Sequence, residues 1–514
     1  CEYCGRSGVR DAFYSKTKRF CSRACATSFT KLSSADQAII TEVFCYSERA
    51  AAQVTQSDGQ VGACNTEVSF GNTLYFIFFN TGVCRSFIWN EYLDVNTHAA
   101  PVSSFKHCPL SGSWESMAVG MKLEVINVHA KGSSPTNVYW IATVIRLEGY
   151  RALMHYEGMA QDTSLDFWVS LCSKDVHPVG WCAANGKPLM PPKIIENKYS
   201  DWRELLVRRL TGARTLPHDF DSLVDEGLHS WPLGISTRLE VVDKMCVSAM
   251  RVASVQLAVG GRVRLQYEPD ALYDNDTFWC HSFSPLIHPV GWSQLVGHKL
   301  HATQAALKKF SPTDATPDMF PKMKDPPICN GIKFQAGMKL EAIDPLNLST
   351  ICVATVMKVL RNNYLMIGID GSMAADGSDW FCYHSTSPCI FPVGFCELNQ
   401  IVLTPPRGFK TTFRWIDYLR ETKAAAAPVK LFNKEIPNHG FRVGQKVEAV
   451  DLMEPRLICV STVTRVVGRL LRVHFDGWDV TYDQWVDCTS ADIYPVGWCE
   501  MVGYHLEGPR PKGM

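Results

Sequence analysis

The sequence predicts a mainly β protein, in which four small β-barrels, each with a helical arm, follow a short cysteine-rich module. The first observation is a Pro-Val-Gly-aromatic motif that recurs four times, beginning at Pro178, Pro289, Pro392 and Pro495. A spacing of just over 100 residues is the length of a domain with its own core, not of a solenoid unit. The second is that short apolar runs, punctuated by Gly and Pro, fill each interval, which is typical of small barrels. The third is a cluster of four cysteines at the start.

Composition is that of a globular chain. Its 514 residues have room for roughly three to five domains, and 46% hydrophobic with 20% charged residues argues against disorder. Because the formal net charge is zero, the chain as a whole has no electrostatic field that would attract nucleic acid or a membrane. We see no signal peptide and no run of 18 or more apolar residues. Because the first residue is Cys1 rather than Met, we expect the natural N-terminus to lie upstream.

The 20 cysteines fall into two groups. Most stand singly inside apolar runs, which indicates small buried hydrophobes of a reducing compartment rather than a disulfide scaffold. The others begin the chain, where Cys1 and Cys4 form a C-x2-C pair and Cys21 and Cys25 a C-x3-C pair. Four thiolates in two knuckles suit a tetrahedral structural zinc ion, which about 30 residues need because they cannot bury a core. The alternatives are a disulfide pair or a chance grouping.

The cysteine module is basic. Residues 1–31 hold seven Lys and Arg against two acidic residues, so the module carries a net charge of +5. Such a patch can neutralise phosphates without reading a base sequence. A solvated surface or a protein-docking knuckle explains it equally well, and the two alternatives stay open.

A second motif accompanies each Pro-Val-Gly-aromatic copy. It is a basic-hydrophobic-Glu strand that precedes the copy by roughly 55 residues, and its glutamates are Glu124, Glu240, Glu341 and Glu448. Since both motifs occur in every repeat, we expect them to hold the barrels together. Amphipathic helices are predicted over 202–210 and 415–421, and we expect each to cover its apolar stripe against a barrel.

The fourth repeat carries the candidate binding site. Phe475, Trp478 and Tyr482 follow a strand-like run, and Asp451 follows the basic-hydrophobic-Glu strand. Ring faces attract a cation by about 0.5–2 kcal/mol each, and a carboxylate adds a hydrogen-bond acceptor. This set therefore predicts a site for an organic cation. The alternative is that the rings are core and that Asp451 caps a turn.

Comparison among the repeats favours the cation site, because the other three lack the complete set. The third keeps Asp344 but has non-aromatic residues at the ring positions, Ile369, Ser372 and Asp376. The second keeps Asp243 and Tyr267 but has Asp270 in place of the tryptophan. The first has Asn127 for the acid and Met159 for the tryptophan.

With these motifs the repeats resemble malignant brain tumour (MBT) repeats, of the Tudor-like β-barrel superfamily. The cysteine module, with Phe20-Cys21-Ser22, resembles the FCS-type zinc finger. We predict a finger at 1–31, a linker at 32–86, and MBT repeats at 87–192, 193–305, 306–407 and 408–511. Four-MBT proteins with this finger are nuclear, Polycomb-type chromatin regulators.

The resemblance implies a function. The ligand would be mono- or dimethylated lysine on a histone tail, with histone H4 as the expected tail. The partners would be subunits of chromatin-modifying complexes, for example a histone acetyltransferase complex. The family often has Asn three residues after the acid, where this sequence has Glu454. The extra charge could strengthen cation binding, or the side chain could point to solvent.

Three other functions are alternatives to methyl-lysine binding. An enzyme is disfavoured because no P-loop, H-E-x-x-H or G-x-S-x-G motif occurs, and Gly260-Gly261 predicts a hairpin turn instead. A nucleic-acid-binding protein stays open through the basic finger. The third is an interaction scaffold in which the fourth pocket is vestigial.

Overall fold

The computed structural model describes residues 87–93, 96–130, 138–268, 277–301, 311–326, 331–371, 374, 376–406, 409, 412–433 and 435–510, with the backbone of 69–70 and 73–74. The chain divides into two units. One comprises 87–450 and 458–514, and the other comprises 1–86 and Asp451–Leu457. The first unit contains four curled sheets, which confirms the mainly β fold predicted above.

All four sheets share one strand order: fourth, third, second, first, fifth. Repeat 1 has β3 (Lys122–Ile126), β4 (Tyr139–Glu148), β5 (Arg151–Tyr156), β6 (Phe167–Ser170) and β7 (Val176–Pro178). Repeat 2 has β8 (Arg238–Asp243), β9 (Cys246–Val259), β10 (Arg262–Tyr267), β11 (Thr277–His281), β12 (Ile287–His288) and β13 (Lys299–His301). Repeat 3 has β14 (Lys339–Asp344), β15 (Asn347–Val359), β16 (Tyr364–Ile369), β17 (Phe381–His384), β18 (Ile390–Phe391) and β19 (Leu403–Thr404). Repeat 4 has β20 (Lys446–Val450), β21 (Ile458–Val467), β22 (Leu470–Phe475), β23 (Gln484–Asp487) and β24 (Ile493–Tyr494).

Each sheet curls at an equivalent irregularity between its second and third strands. In repeat 4 the register shifts between Val463 and Arg465, and the other three repeats have a shift at the corresponding place. An extra residue in one strand increases the local twist, so the sheet wraps around its own apolar face. Gly260 and Gly261, both with positive φ, connect β9 to β10, as the predicted hairpin turn requires.

The two recurring motifs bind to each other. In repeat 4 the Glu448 carboxylate accepts hydrogen bonds from the backbone N–H groups of Gly497 and Cys499, both at 2.7 Å. The equivalent pairs of bonds occur in the other repeats, where the acceptors are Glu124, Glu240 and Glu341. Gly497 has a φ of +88°, a conformation that glycine adopts without strain. The prediction that these motifs hold each barrel together agrees with these contacts.

Short helices follow the Pro-Val-Gly motifs, and longer ones form the arms. The helices are α1 (Trp181–Ala184), α2 (Trp202–Leu210), α3 (Phe220–His229), α4 (Trp292–Val296), α5 (Phe395–Leu398), α6 (Trp415–Glu421) and α7 (Trp498–Val502). The two predicted arm helices, α2 and α6, have the bounds expected from the sequence. Asp201 caps α2 by accepting from the N–H groups of Arg203 and Glu204.

Each arm packs on the repeat that precedes it in the chain. Lys122 of repeat 1 donates its N–H to Arg214 O, and Lys339 of repeat 3 donates to Ala425 O. Repeat 4 has no following arm among the described residues, and residues 87–105 take that place. Lys446 N–H donates to His98 O at 2.8 Å, so this first segment of repeat 1 packs on repeat 4.

In the second unit, β1 (Ser69–Phe70) and β2 (Thr73–Leu74) form an antiparallel pair. Residues Asp451–Leu457 form a loop that Asp451 N–H closes on Leu457 O at 3.0 Å. The cysteine module and nearly all of the predicted linker lie outside the described residues. No helix in the described part of the chain is long and apolar enough to cross a membrane.

The described cysteines are all free thiols, and eight of these twelve are buried. This agrees with the prediction that the scattered cysteines act as small hydrophobes. Burial also raises the pKa of most of these thiols, for example that of Cys389 to about 11.

Candidate functional site

The three predicted rings of repeat 4 lie where β22 ends. Phe475 is the last residue of β22 and is 3% exposed. Trp478 and Tyr482 are half-buried, and their ring centroids are 5.4 Å apart with planes inclined at 74°. Asp479 caps the short 3-10 helix Val480–Tyr482, because its carboxylate accepts from Thr481 N–H. The structure therefore brings Trp478 and Tyr482 into edge contact and places Phe475 at the strand end that precedes their loop.

The C-terminal segment covers part of this loop. The Arg510 guanidinium lies 3.6 Å from the centroid of the Trp478 ring, and Arg510 N–H donates to Asp476 O at 3.2 Å. A Cβ on Gly477, which has a φ of +80°, would lie only 2.4 Å from Arg510 O. Glycine is thus required both by the conformation and by the close approach of a second backbone. One face of Trp478 is already occupied by a cation of the chain itself.

Asp476, which begins the loop that carries Trp478, is held by a buried polar network. The Asp476 carboxylate accepts hydrogen bonds from Lys446 Nζ at 2.5 Å, Thr462 Oγ1 at 2.6 Å and Tyr92 OH at 2.7 Å. Its backbone N–H also donates to Val460 O. Asp476 is 6% exposed, so these charge-assisted bonds form away from most of the solvent.

Asp451 caps its own turn, as the alternative reading supposed. Its Oδ1 accepts from Met453 N–H at 3.0 Å. The same bond occurs in the other repeats, at Asn127, Asp243 and Asp344, so it belongs to the scaffold and does not require a charge. Asp451 is 4% exposed, and burial raises its pKa from 3.8 to about 6, although backbone hydrogen bonds oppose the rise. Among the described residues no side chain hydrogen-bonds to it.

Glu454 has a partner within its own loop. Arg456 Nε donates to Glu454 Oε1 at 2.9 Å, and the Glu454 side chain is 32% exposed. The neighbouring cation offsets part of its charge, so the structure favours a half-buried, ion-paired residue over a free second carboxylate.

Repeat 2 fills its own equivalent site. Arg251 is 2% exposed, and its guanidinium lies 4.4 Å over the Tyr267 ring. His301 Nδ1 lies 3.0 Å from Asp243 Oδ2. The chain thus supplies both a cation on the ring and a partner for the acid. Asp270 lies outside the described residues.

Repeats 1 and 3 differ in other ways. In repeat 1, Asn127 Nδ2 donates to Met190 O at 2.7 Å, so the polar side chain at the acid position is already used. Met159 is 2% exposed and packs as core. In repeat 3, Ile369 packs against the repeat's own core and Asp376 is exposed. Ser372 lies outside the described residues.

One position on the second strand separates repeats 1 and 2 from repeats 3 and 4, and the sequence comparison overlooked it. In each repeat, one residue of the second strand pairs with the glutamate of the basic-hydrophobic-Glu motif, and the position in question comes directly before it. From repeat 1 to repeat 4 this position holds Trp140, Arg251, Cys352 and Cys459. Because Arg251 reaches over Tyr267 from this position, and side chains two residues apart share a face, Cys459 belongs to the Phe475 side of repeat 4. The side chain at this position is much smaller in repeat 4 than the arginine of repeat 2. The signal was available only once strand register aligned the repeats.

No group of three or more metal-ligating side chains occurs in the described part of the chain. The predicted zinc ligands Cys1, Cys4, Cys21 and Cys25 fall outside it. Their donor set, four thiolates, is the one that structural zinc sites use.

Comparisons with known proteins agree with this organisation. The sequence matches the family described as mbt repeat at residues 121–196, 237–306, 338–410 and 445–512, and the FCS-type zinc finger at 1–29. It is 54% identical to MBT domain-containing protein 1 of Xenopus tropicalis over 517 residues, covering 100% of this chain and 78% of that protein. It is 52% identical over 452 residues to Polycomb protein Sfmbt of Drosophila melanogaster, covering 83% of this chain and 36% of that protein.

A solved structure is also similar. The four MBT repeats of Drosophila melanogaster Sfmbt, in complex with the peptide RHR(me)KVLR, align with a TM-score of 0.76 and 49% identity. The match covers 83% of this chain and 99% of that one. None of these matches is to an enzyme family.

Proposed function

Since the chain belongs to the family of MBT-repeat proteins with an FCS-type zinc finger, we propose that it is a chromatin reader of mono- and dimethylated lysine. Repeat 4 is the reading repeat, and the binding residues are Asp451, Glu454, Phe475, Trp478 and Tyr482. The observation that carries the proposal is the edge contact between the half-buried rings of Trp478 and Tyr482 on one loop. This loop belongs to repeat 4, the one repeat whose sequence has rings at all three positions. A related four-repeat chain was solved with a methylated-lysine peptide, which supports the same class of ligand here.

The two strands that precede the acid and the rings in the sequence end at the same edge of the sheet. The first and third strands of each sheet are both antiparallel to the second, so β20 and β22 end at the same edge. Val450, the last residue of β20, accepts from Gln484 Nε2 at 3.2 Å, and Gln484 follows Tyr482 by two residues. Asp451 is the next residue in the chain after Val450.

The chemistry selects for methylation state. Methyl groups enlarge the ammonium and weaken its hydration, so ring faces can replace water around it. The Asp451 carboxylate accepts a charge-assisted hydrogen bond from a remaining N–H. Trimethyl-lysine has no N–H to donate, and unmodified lysine is costlier to desolvate. The expected order is therefore mono- and dimethyl above trimethyl and unmodified.

The wider role follows from the family. We place the protein in the nucleus, as a Polycomb-type regulator or as a subunit of a chromatin-modifying assembly such as a histone acetyltransferase complex. Its partners are histone tails, and the tail of histone H4 is the first candidate. The finger holds a structural zinc ion through Cys1, Cys4, Cys21 and Cys25, and its basic surface could add a weak nucleic-acid contact. One side chain in one pocket gives roughly micromolar to millimolar affinity, so avidity within an assembly would supply the rest.

Repeats 1 to 3 then act as scaffold. In repeat 2 the specific reason is an internal cation, since the buried Arg251 lies over the ring that a ligand would use, whereas in repeat 4 the arginine Arg510 lies over one face of Trp478. A protein in which all four repeats are scaffold is the alternative function, and the following experiment separates the two.

The test is calorimetric titration of the full chain with histone H4 tail peptides carrying zero to three methyl groups. Asp451→Asn is the informative variant, because repeat 1 has Asn127 in the same capping bond, so the turn keeps its hydrogen bond while the charge is lost. Asp344→Asn makes the identical change in repeat 3 and is the matched control. Circular dichroism establishes that both variants fold.

We expect mono- and dimethyl peptides to bind the wild-type chain and the Asp344→Asn variant, and to lose most affinity for Asp451→Asn. Equal binding to both variants would remove the site from repeat 4. Absence of binding to the wild-type chain would leave the scaffold function.

A further inference from the structure

We infer that Tyr92, in the segment 87–105 at the start of repeat 1, is a positioning residue for the ligand site of repeat 4. The inference rests on the proposed function, and it adds a residue that lies outside the repeat that binds. Tyr92 and Asp476 are 384 residues apart in the sequence, yet their side chains are joined by a 2.7 Å hydrogen bond.

Tyr92 is fastened to repeat 4 by more than one contact. Its ring lies 4.9 Å from Lys446 Nζ, which itself donates to Asp476. Three residues earlier, the Trp89 indole N–H donates to the Glu448 carboxylate at 2.8 Å. The segment thus contacts both charged residues of the basic-hydrophobic-Glu strand of repeat 4.

Asp476 transmits this contact to the rings. It immediately precedes Gly477 and Trp478, and Trp478 N–H donates back to Phe475 O at 3.0 Å. A carboxylate that accepts from lysine, threonine and tyrosine has little freedom to rotate, so the turn that carries Trp478 starts from a fixed point. Ring sites depend on such preorganisation, because a loose ring loses entropy when the ligand orders it.

Repeat 3 contains the same network without the rings. Tyr418 OH donates to Asp370 Oδ2 at 2.7 Å, and Lys339 Nζ lies 5.1 Å from the Tyr418 ring. Trp415, three residues before Tyr418, donates its indole N–H to Glu341 at 2.8 Å. The chain therefore offers a matched pair, in which the same hydroxyl can be removed beside a ring site and beside a repeat without one.

The experiment compares Tyr92→Phe with Tyr418→Phe in the full chain. Both variants lose one hydroxyl that bonds to a buried carboxylate, so we expect similar falls in melting temperature. We expect Tyr92→Phe to weaken binding of a dimethyl-lysine peptide by about 3- to 10-fold, and Tyr418→Phe to stay within about 2-fold of wild type. Hydrogen–deuterium exchange of the ligand-free protein should rise over residues 476–482 in Tyr92→Phe only.

Trp89→Phe separates a specific role of Tyr92 from general detachment of the segment. It removes the bond to Glu448 and leaves the bond from Tyr92 to Asp476. A smaller loss of affinity than in Tyr92→Phe, at equal or greater loss of stability, supports the inference. Equal loss in both variants overturns it, as does wild-type affinity in Tyr92→Phe. Failure of the wild-type chain to bind would instead refute the proposed function.

Discussion

Acidification should weaken methyl-lysine binding through Asp451. Burial raises the pKa of this carboxyl to about 6 in the folded protein, while an unfolded chain has the ordinary value of 3.8. Only the ionised form attracts the ammonium. At pH 7.5 about 97% of the carboxyl is ionised, but at pH 5 only about 9%, so affinity should fall about tenfold over this range.

The same shift has the opposite consequence for the stability of the unliganded protein. Because the folded-state pKa lies above the unfolded one, Asp451 stabilises the fold below about pH 4, and this contribution is lost as pH rises through 6. The difference between the two pKa values corresponds to about 3 kcal/mol. At neutral pH Asp451→Asn should therefore unfold at a higher temperature than wild type, while binding less ligand. A gain in stability at the cost of function is typical of residues that bind charge.

Titration calorimetry at several pH values between 5 and 7.5 measures the first effect. The peptide should contain no histidine, so that its own charge stays constant. Asp451→Asn provides the control, since whatever pH dependence remains in this variant comes from other groups. An affinity of wild type that is flat from pH 7.5 to 5 would refute the assignment of Asp451 as the ionised partner.

Three other predictions follow from the same contacts. Cys459→Arg should abolish peptide binding with the fold retained, because Arg251 occupies the equivalent position in repeat 2. Calorimetry measures the binding and thermal melting measures the fold, and undiminished binding would show that this position does not face the ligand. Gly477→Ala should lower both stability and peptide affinity, since the new Cβ would meet Arg510 O. The control is Gly444→Ala, where φ is +90° but no atom lies near the new Cβ, and it should lose about 1 kcal/mol of stability and no affinity. Treatment of the purified full chain with a chelator should release about one zinc ion, measured by elemental analysis, and should unfold only the finger. A metal-free preparation with an ordered finger would contradict this prediction.

Much of the architecture was predictable because it is encoded locally. Each barrel has its strands, its motif glutamate and its Pro-Val-Gly turn within roughly 100 residues, and alternation of side chains along a strand leaves a readable pattern. The helix at Trp415–Glu421 could likewise be read from its apolar spacing. Comparison of the four repeats with one another singled out the rings of repeat 4, because a feature present in every copy belongs to the scaffold.

The sequence by itself therefore determined the fold class, the repeat count and the rings of repeat 4. Only the tertiary structure decided that each arm packs on the preceding repeat, that Arg251 lies over the ring of repeat 2, and that Arg510 contacts Trp478 while Tyr92 bonds to Asp476. These contacts join segments far apart in the chain, or depend on which side chain fills a shared space. No local periodicity records such partners, since their free energy is gained only when the folded repeats come together.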